Sequence, residues 1–129
     1  MRSEGDLRGH FCKALRANDV QVQPIESGTT GLGIPDVFIR TTKASAWVEL
    51  KHEHYEPRLP YKVPFRTGQY GWLKHHYTLG GISVLGLWFP SGLHLYVNEH
   101  IQEVYGNYEC DLFMRSISGS AFISWIDNL

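Results

Sequence analysis

Nowhere in this 129-residue chain do the roughly 18 consecutive apolar residues of a membrane helix occur. The charged opening MRSEGDLRGHFCKALRAND also lacks the apolar core of a secretory signal. Both absences point to a cytoplasmic protein. Cysteine is scarce: Cys12 and Cys110 stand far apart and outside any CxxC or Cys/His spacing. That excludes a disulfide framework and a cysteine zinc site, and leaves two reduced packing residues. With no internal repeat and no low-complexity tract, residues 1–129 read as a single α/β domain large enough to bury its own core.

Acidic side chains are missing altogether from Pro57 to Asn98. The net charge of −1 argues against a general polyanion binder, but that average hides the asymmetry. The acid-free stretch holds Arg58, Lys62, Arg66 and Lys74, with His75, His76 and His94 beside them, so one face can be positive on a nearly neutral molecule. Tyr61, Phe65, Tyr70 and Trp72 are interleaved with these cations, either as part of a segment that tracks a nucleic-acid backbone or as core.

Ser3 and Asp6 resemble a capping box, and Leu7, Phe11, Ala14 and Leu15 recur at helical spacing, so a helix is predicted over 3–17. VQVQPIES alternates like an edge strand, with Pro24 late in it. DVFIRT and SAWVELK read as a hairpin, and HEHYEPRLPYKVPFR, with its three prolines, as a long irregular connection. Thr67 is placed to cap a helix through GQYGWLKHHYTL that ends at Gly80-Gly81. ISVLGLWF and GLHLYVN form a second strand pair, HIQEVYG a short helix, and AFISWI a terminal strand or helix.

Alternation along AWVELK places Trp47, Glu49 and Lys51 on one side of a strand. Hairpin pairing can then bring Asp36 beside Glu49. Two adjacent carboxylates repel, and a shared proton or a divalent cation resolves the conflict. Magnesium suits oxygen ligands of this kind, with manganese as a substitute, and Lys51 beside it can act on water and phosphate. The plain alternative is a turn aspartate and a surface Glu49–Lys51 pair. His52 and His54 have zinc-ligand spacing but fall opposite Glu49 if the strand persists. GTTGLG is no phosphate loop, since a strand follows it; Thr29 and Thr30 there are candidates for contact with a nucleic-acid backbone. Glu26, just before that loop, reads as a turn residue or an extra ligand.

Taken together, Gly33-x-Pro35-Asp36, Glu49-Leu50-Lys51, Glu4 in the first helix and Gln69 opening the next resemble the PD-(D/E)XK nucleases. The closer similarity is to the VRR-NUC and phage or archaeal Holliday-junction-resolvase branch, over residues 3–85. The proline-rich insertion before Gln69 and the tail after Phe89 depart from that pattern. The resemblance implies a restriction-endonuclease-like α-β-β-β-α-β core with a mixed central sheet flanked by helices. Asp36, Glu49 and the Leu50 carbonyl would bind Mg²⁺, Lys51 would assist the attacking water, and Gln69 would support it. Glu4 would ligate through water, although a helix dipole alone also favours an acid there. The implied activity is hydrolysis of phosphodiesters in branched DNA by a homodimer, with AFISWI as a candidate contact and no membrane partner. The compact size fits a phage protein acting in the host cytoplasm. A nuclease fold kept only for binding nucleic acid or protein is the competing class.

Overall fold

In the computed structural model, residues 1–25, 33–107 and 109–129 are described. Helix α1 (Glu4–Arg16) starts at Ser3, whose Oγ accepts the Asp6 amide at 3.1 Å. Asp6 Oδ2 accepts the Arg2 amide, so the capping box is displaced by one residue at its return bond. Leu7, Phe11, Cys12 and Leu15 form the buried stripe, as the spacing predicted.

The strands β1 (Gln21–Pro24), β2 (Val37–Arg40), β3 (Ser45–His52), β5 (Ser83–Phe89), β6 (Gly92–Val97) and β8 (Leu112–Met114) make one mixed sheet in the order β1-β2-β3-β5-β6-β8. Every neighbouring pair is antiparallel except β3 and β5, which the helix α2 (Gln69–Thr78) connects. A parallel pair needs such a crossover, and the expected α-β-β-β-α-β core is present as α1-β1-β2-β3-α2-β5. Pro24 ends β1, an edge strand, where a missing N–H is tolerated.

Both faces of the sheet are covered. Val37, Ile39, Ala46, Val48 and Leu50 pack with the α1 stripe and with Phe122 and Ile126 of α3 (Gly119–Asp127). Leu85, Leu87, Phe89 and Tyr96 pack with Leu73 of α2 on the other face. Burial on both sides explains why ISVLGLWF reads as a continuous apolar run rather than an alternation.

Several expectations are corrected by tertiary contacts. The proline-rich connection contains a short strand, β4 (Tyr61–Lys62), paired with β7 (Val104–Tyr105), so HIQEVYG is a 3-10 turn (Asn98–His100) followed by a strand, not a helix. Thr67 does not cap α2. Gly68 does, with φ 87°, and no side chain caps it. His94 is buried on β6 between Phe89 and Phe113, with ring centroids 5.3 and 4.9 Å away, and so is not on the positive face. Tyr61 is core, while Phe65, Tyr70 and Trp72 are half-buried against it. Cys12 and Cys110 are free thiols.

AFISWI is helical: Phe122 and Ile126 are buried, the Phe122 ring meeting the buried Phe11 edge-on at 5.0 Å, while Ile123 and Trp125 are half-buried. Phe122 and Ile126 thus serve the core. Phe122→Ala is expected to lower stability by about 3–5 kcal/mol in urea unfolding. A loss under 1 kcal/mol would contradict the core role of the tail.

Candidate active site

The β2–β3 ladder ends with Val37 opposite Val48, and one step beyond it stand Asp36 and Glu49. Asp36 Oδ2 accepts the Leu50 amide at 2.9 Å, which ties the start of β2 to the middle of β3. Gly33 prepares this approach. Its φ is +87°, and a Cβ there would collide with the Gly68 carbonyl, so glycine lets the chain entering β2 pack on the N-terminus of α2.

Gln69, the first residue of α2, binds three groups at once. Its Oε1 accepts from Lys51 Nζ at 2.9 Å and from the Arg66 amide at 2.7 Å, while its Nε2 donates to Glu49 Oε2 at 3.0 Å. Lys51 Nζ lies 3.2 Å from Glu49 Oε2 and 3.8 Å from Glu4 Oε1. Glu49 and Lys51 are only 1% and 3% exposed, so this is a desolvated network rather than a surface pair.

Ligand atoms of Glu4, Asp36 and Glu49 all lie within 4.8 Å of one another, and Glu49 Oε1 is buried without a hydrogen-bond partner among the described residues. An orphaned buried carboxylate oxygen is costly unless a proton or cation meets it. Burial first, then the Asp36 charge, pushes the Glu49 pKa up to about 8 against the opposing pull of Lys51. Burial also raises Asp36, opposed by the Leu50 amide, Lys51, Arg8 and Arg66. An all-oxygen donor set with surplus negative charge fits a hard divalent cation.

The network opens into a cavity of about 190 Å³ whose wall includes Glu4, Arg8, Asp36, Lys51, Arg66 and Gln69. The structure thus brings together Glu4, Asp36, Glu49, Lys51 and Gln69; Leu50 joins through its main chain, its side chain being core. Arg66, expected on a binding face, reaches the cavity as well. Arg8 was missed, and its signal was helical: it lies four residues after Glu4 on α1. Arg58, Lys62 and Lys74 are exposed and do not line the cavity. Thr29, Thr30 and Glu26 lie outside the described residues. His52 and His54 have rings 4.8 Å apart but are not part of a three-ligand group among the described residues.

No protein-family model matches the chain, and neither does any curated protein. Among solved structures it is similar to Hjc, a Holliday junction resolvase from the archaeal hyperthermophile Archaeoglobus fulgidus, with a TM-score of 0.53 over 93% of this chain and 96% of that one. The chain has the PD-(D/E)XK-type, restriction-endonuclease-like fold. At 17% identity the likeness carries architecture alone. Any reading of the site's chemistry rests on the residues just described.

Between its ordinary value of 4.5 and about 8, folded Glu49 keeps a proton that the unfolded chain has released. Protonation therefore stabilises the metal-free fold at low pH, and that contribution is lost as pH rises to about 8. Without metal, the stability of wild type relative to Glu49→Gln should fall across this window at a slope approaching about 1.4 kcal/mol per pH unit. Parallel pH–stability curves for the two proteins would contradict the assignment.

Proposed function

We propose that the protein is a metal-dependent endonuclease that hydrolyses DNA phosphodiester bonds, with selectivity for branched or otherwise structured DNA. The observation that carries this reading is the convergence of Glu4, Asp36 and Glu49, with an unpartnered buried oxygen, beside Lys51 on a restriction-endonuclease-like fold. Asp36, Glu49 and the Leu50 carbonyl would hold Mg²⁺, or Mn²⁺ in its place, with Glu4 reaching it through water. A bound divalent cation supplies Lewis-acid polarisation and charge neutralisation for in-line attack of water on phosphorus.

The other groups act around that centre. Lys51, held by Gln69 and Glu49, presents its ammonium to the attacking water and to the charge that develops on phosphate. Gln69 fixes Lys51 through its oxygen while its amide nitrogen fixes one oxygen of Glu49, so the two reactive side chains keep their spacing. Arg8 and Arg66, on the cavity wall, suit the flanking phosphate oxygens. Branched DNA is favoured by likeness to a protein described as a Holliday junction resolvase. A four-way junction presents two equivalent strands, which a two-fold homodimer would match.

Asp36→Asn and Glu49→Gln should each abolish Mg²⁺-dependent cleavage across a panel of branched, flapped, single-stranded and linear DNAs, with the fold retained by circular dichroism. Lys51→Ala should cut the rate strongly while sparing metal binding measured by calorimetry. Undiminished cleavage by both carboxylate variants would overturn the site. A wild type that binds junctions but cuts nothing in the panel would place the chain among non-catalytic binding modules.

The exposed cations make a separate prediction. If Arg58, Lys62, Arg66 and Lys74 meet phosphates of duplex DNA, each neutralisation should flatten the slope of log affinity against log salt by about 0.9. The measurement uses Ca²⁺ in place of Mg²⁺ to hold the substrate uncut. Unchanged slopes in all four single variants would remove this surface from the binding reading.

A further inference from the structure

A groove of about 580 Å³, larger than the catalytic cavity, lies on the α1 face of the sheet. Its lining is mainly apolar, from Met1, Ala14, Ala17, Trp88 and Ile117, with His10 and Lys13 of α1 on one wall. Arg115, after β8, lines it as well, and among the described residues no acidic side chain does, although Glu53 lines the adjoining cavity that shares Met1 and Trp88. Trp88 is half-buried, so part of the indole is open to the groove while the rest packs on the α1-facing core.

This groove neighbours the end of the strand that carries Glu49 and Lys51. Trp88 stands in parallel register with His52, the residue after Lys51. The Met1 carbonyl lies 3.2 Å from His52 Nε2, and Met1 also lines the groove, so the residues preceding α1 bridge the two places. Helix α1 does the same: Glu4 reaches the carboxylate cluster, and Lys13, nine residues on, lies about 14 Å farther along the axis.

We infer that this groove binds a single-stranded DNA segment adjoining the cleavage site, with one unpaired base stacked on Trp88 and its phosphates met by Lys13 and Arg115. A concave site that joins an aromatic surface to Lys13 and Arg115 suits an unpaired nucleotide better than a cationic peptide, because every base has a face to stack and each phosphate carries negative charge. A duplex, whose bases are already stacked, offers nothing to Trp88. The inference rests on the reading of DNA as substrate and deepens it by naming the unpaired strand that the protein grips.

The test uses the full chain with Ca²⁺ and a short fluorescein-labelled oligothymidylate, read by anisotropy, together with photocrosslinking of the same oligomer carrying 5-bromodeoxyuridine. Wild type should bind it, and the crosslink should map to Trp88. Trp88→Leu, which keeps apolar volume against the core, should weaken binding severalfold, and the double reversal Lys13→Glu/Arg115→Glu by about tenfold or more. Affinity for a blunt duplex should change far less with Trp88→Leu. No binding by wild type, unchanged affinity in both variants, or a crosslink at Trp47 or Trp72 instead would each overturn the inference. Those results are separable from the nuclease reading, since cleavage of branched DNA in Mg²⁺ stands or falls with the Asp36 and Glu49 variants.

Discussion

A buried carboxylate, Glu49, is the constraint around which the site is organised. It lies in the middle of a strand covered on both faces, within reach of the Asp36 and Glu4 carboxylates, and only one of its oxygens is hydrogen-bonded within the protein. In water such a group would be ionised and solvated. Here, desolvation and like charge press it toward the protonated state, and Lys51 and Gln69 only partly oppose that pressure. The resulting tension has a chemical use. A site that is uncomfortable without added positive charge is one that selects a cation when it is offered.

The rest of the fold holds that arrangement in place. Strand register puts Asp36 one step past the β2–β3 ladder, and the Leu50 amide then locks its carboxylate. The left-handed Gly33 and Gly68 bring the entrance of β2 against the start of α2, which delivers Gln69 to Glu49 and Lys51. On the opposite face of the sheet, α1 and α3 bury their apolar sides against each other and the strands, and the first two turns of α1 bring Glu4 and Arg8 to the wall of the carboxylate cavity. The carboxylate cavity and the Trp88 groove share no lining residue, and β5 carries Trp88 beside His52 at the end of β3.

Periodicity made much of this legible in advance. The α1 stripe, the hairpin of β2 and β3, α2 and the β5–β6 pair all follow from local patterns, because burial of one face imposes a period that survives in the residues themselves. The candidate site could be assembled from Asp36, Glu49, Lys51, Gln69 and Glu4 because each sits at a marked position: a strand entrance, one strand face, or the first turn of a helix. Arg8 carried only a helical offset from Glu4, and Arg66 looked like any other cation of the acid-free stretch.

The amino-acid sequence by itself determined the order of α1, β1, β2, β3, α2, β5 and β6, the shared face of Glu49 and Lys51, and the charge asymmetry, since all three depend on neighbours along the chain. Tertiary structure decided the pairing of β4 with β7, the burial of His94, and the fate of AFISWI, whose apolar residues suit a core and an interface equally until α1 is seen against them. It also decided that Asp36 and Glu49 meet. A one-residue slip in the β2–β3 register would keep every local pattern of spacing and send the two carboxylates to opposite faces, so only the packed sheet selects the pairing that makes a site.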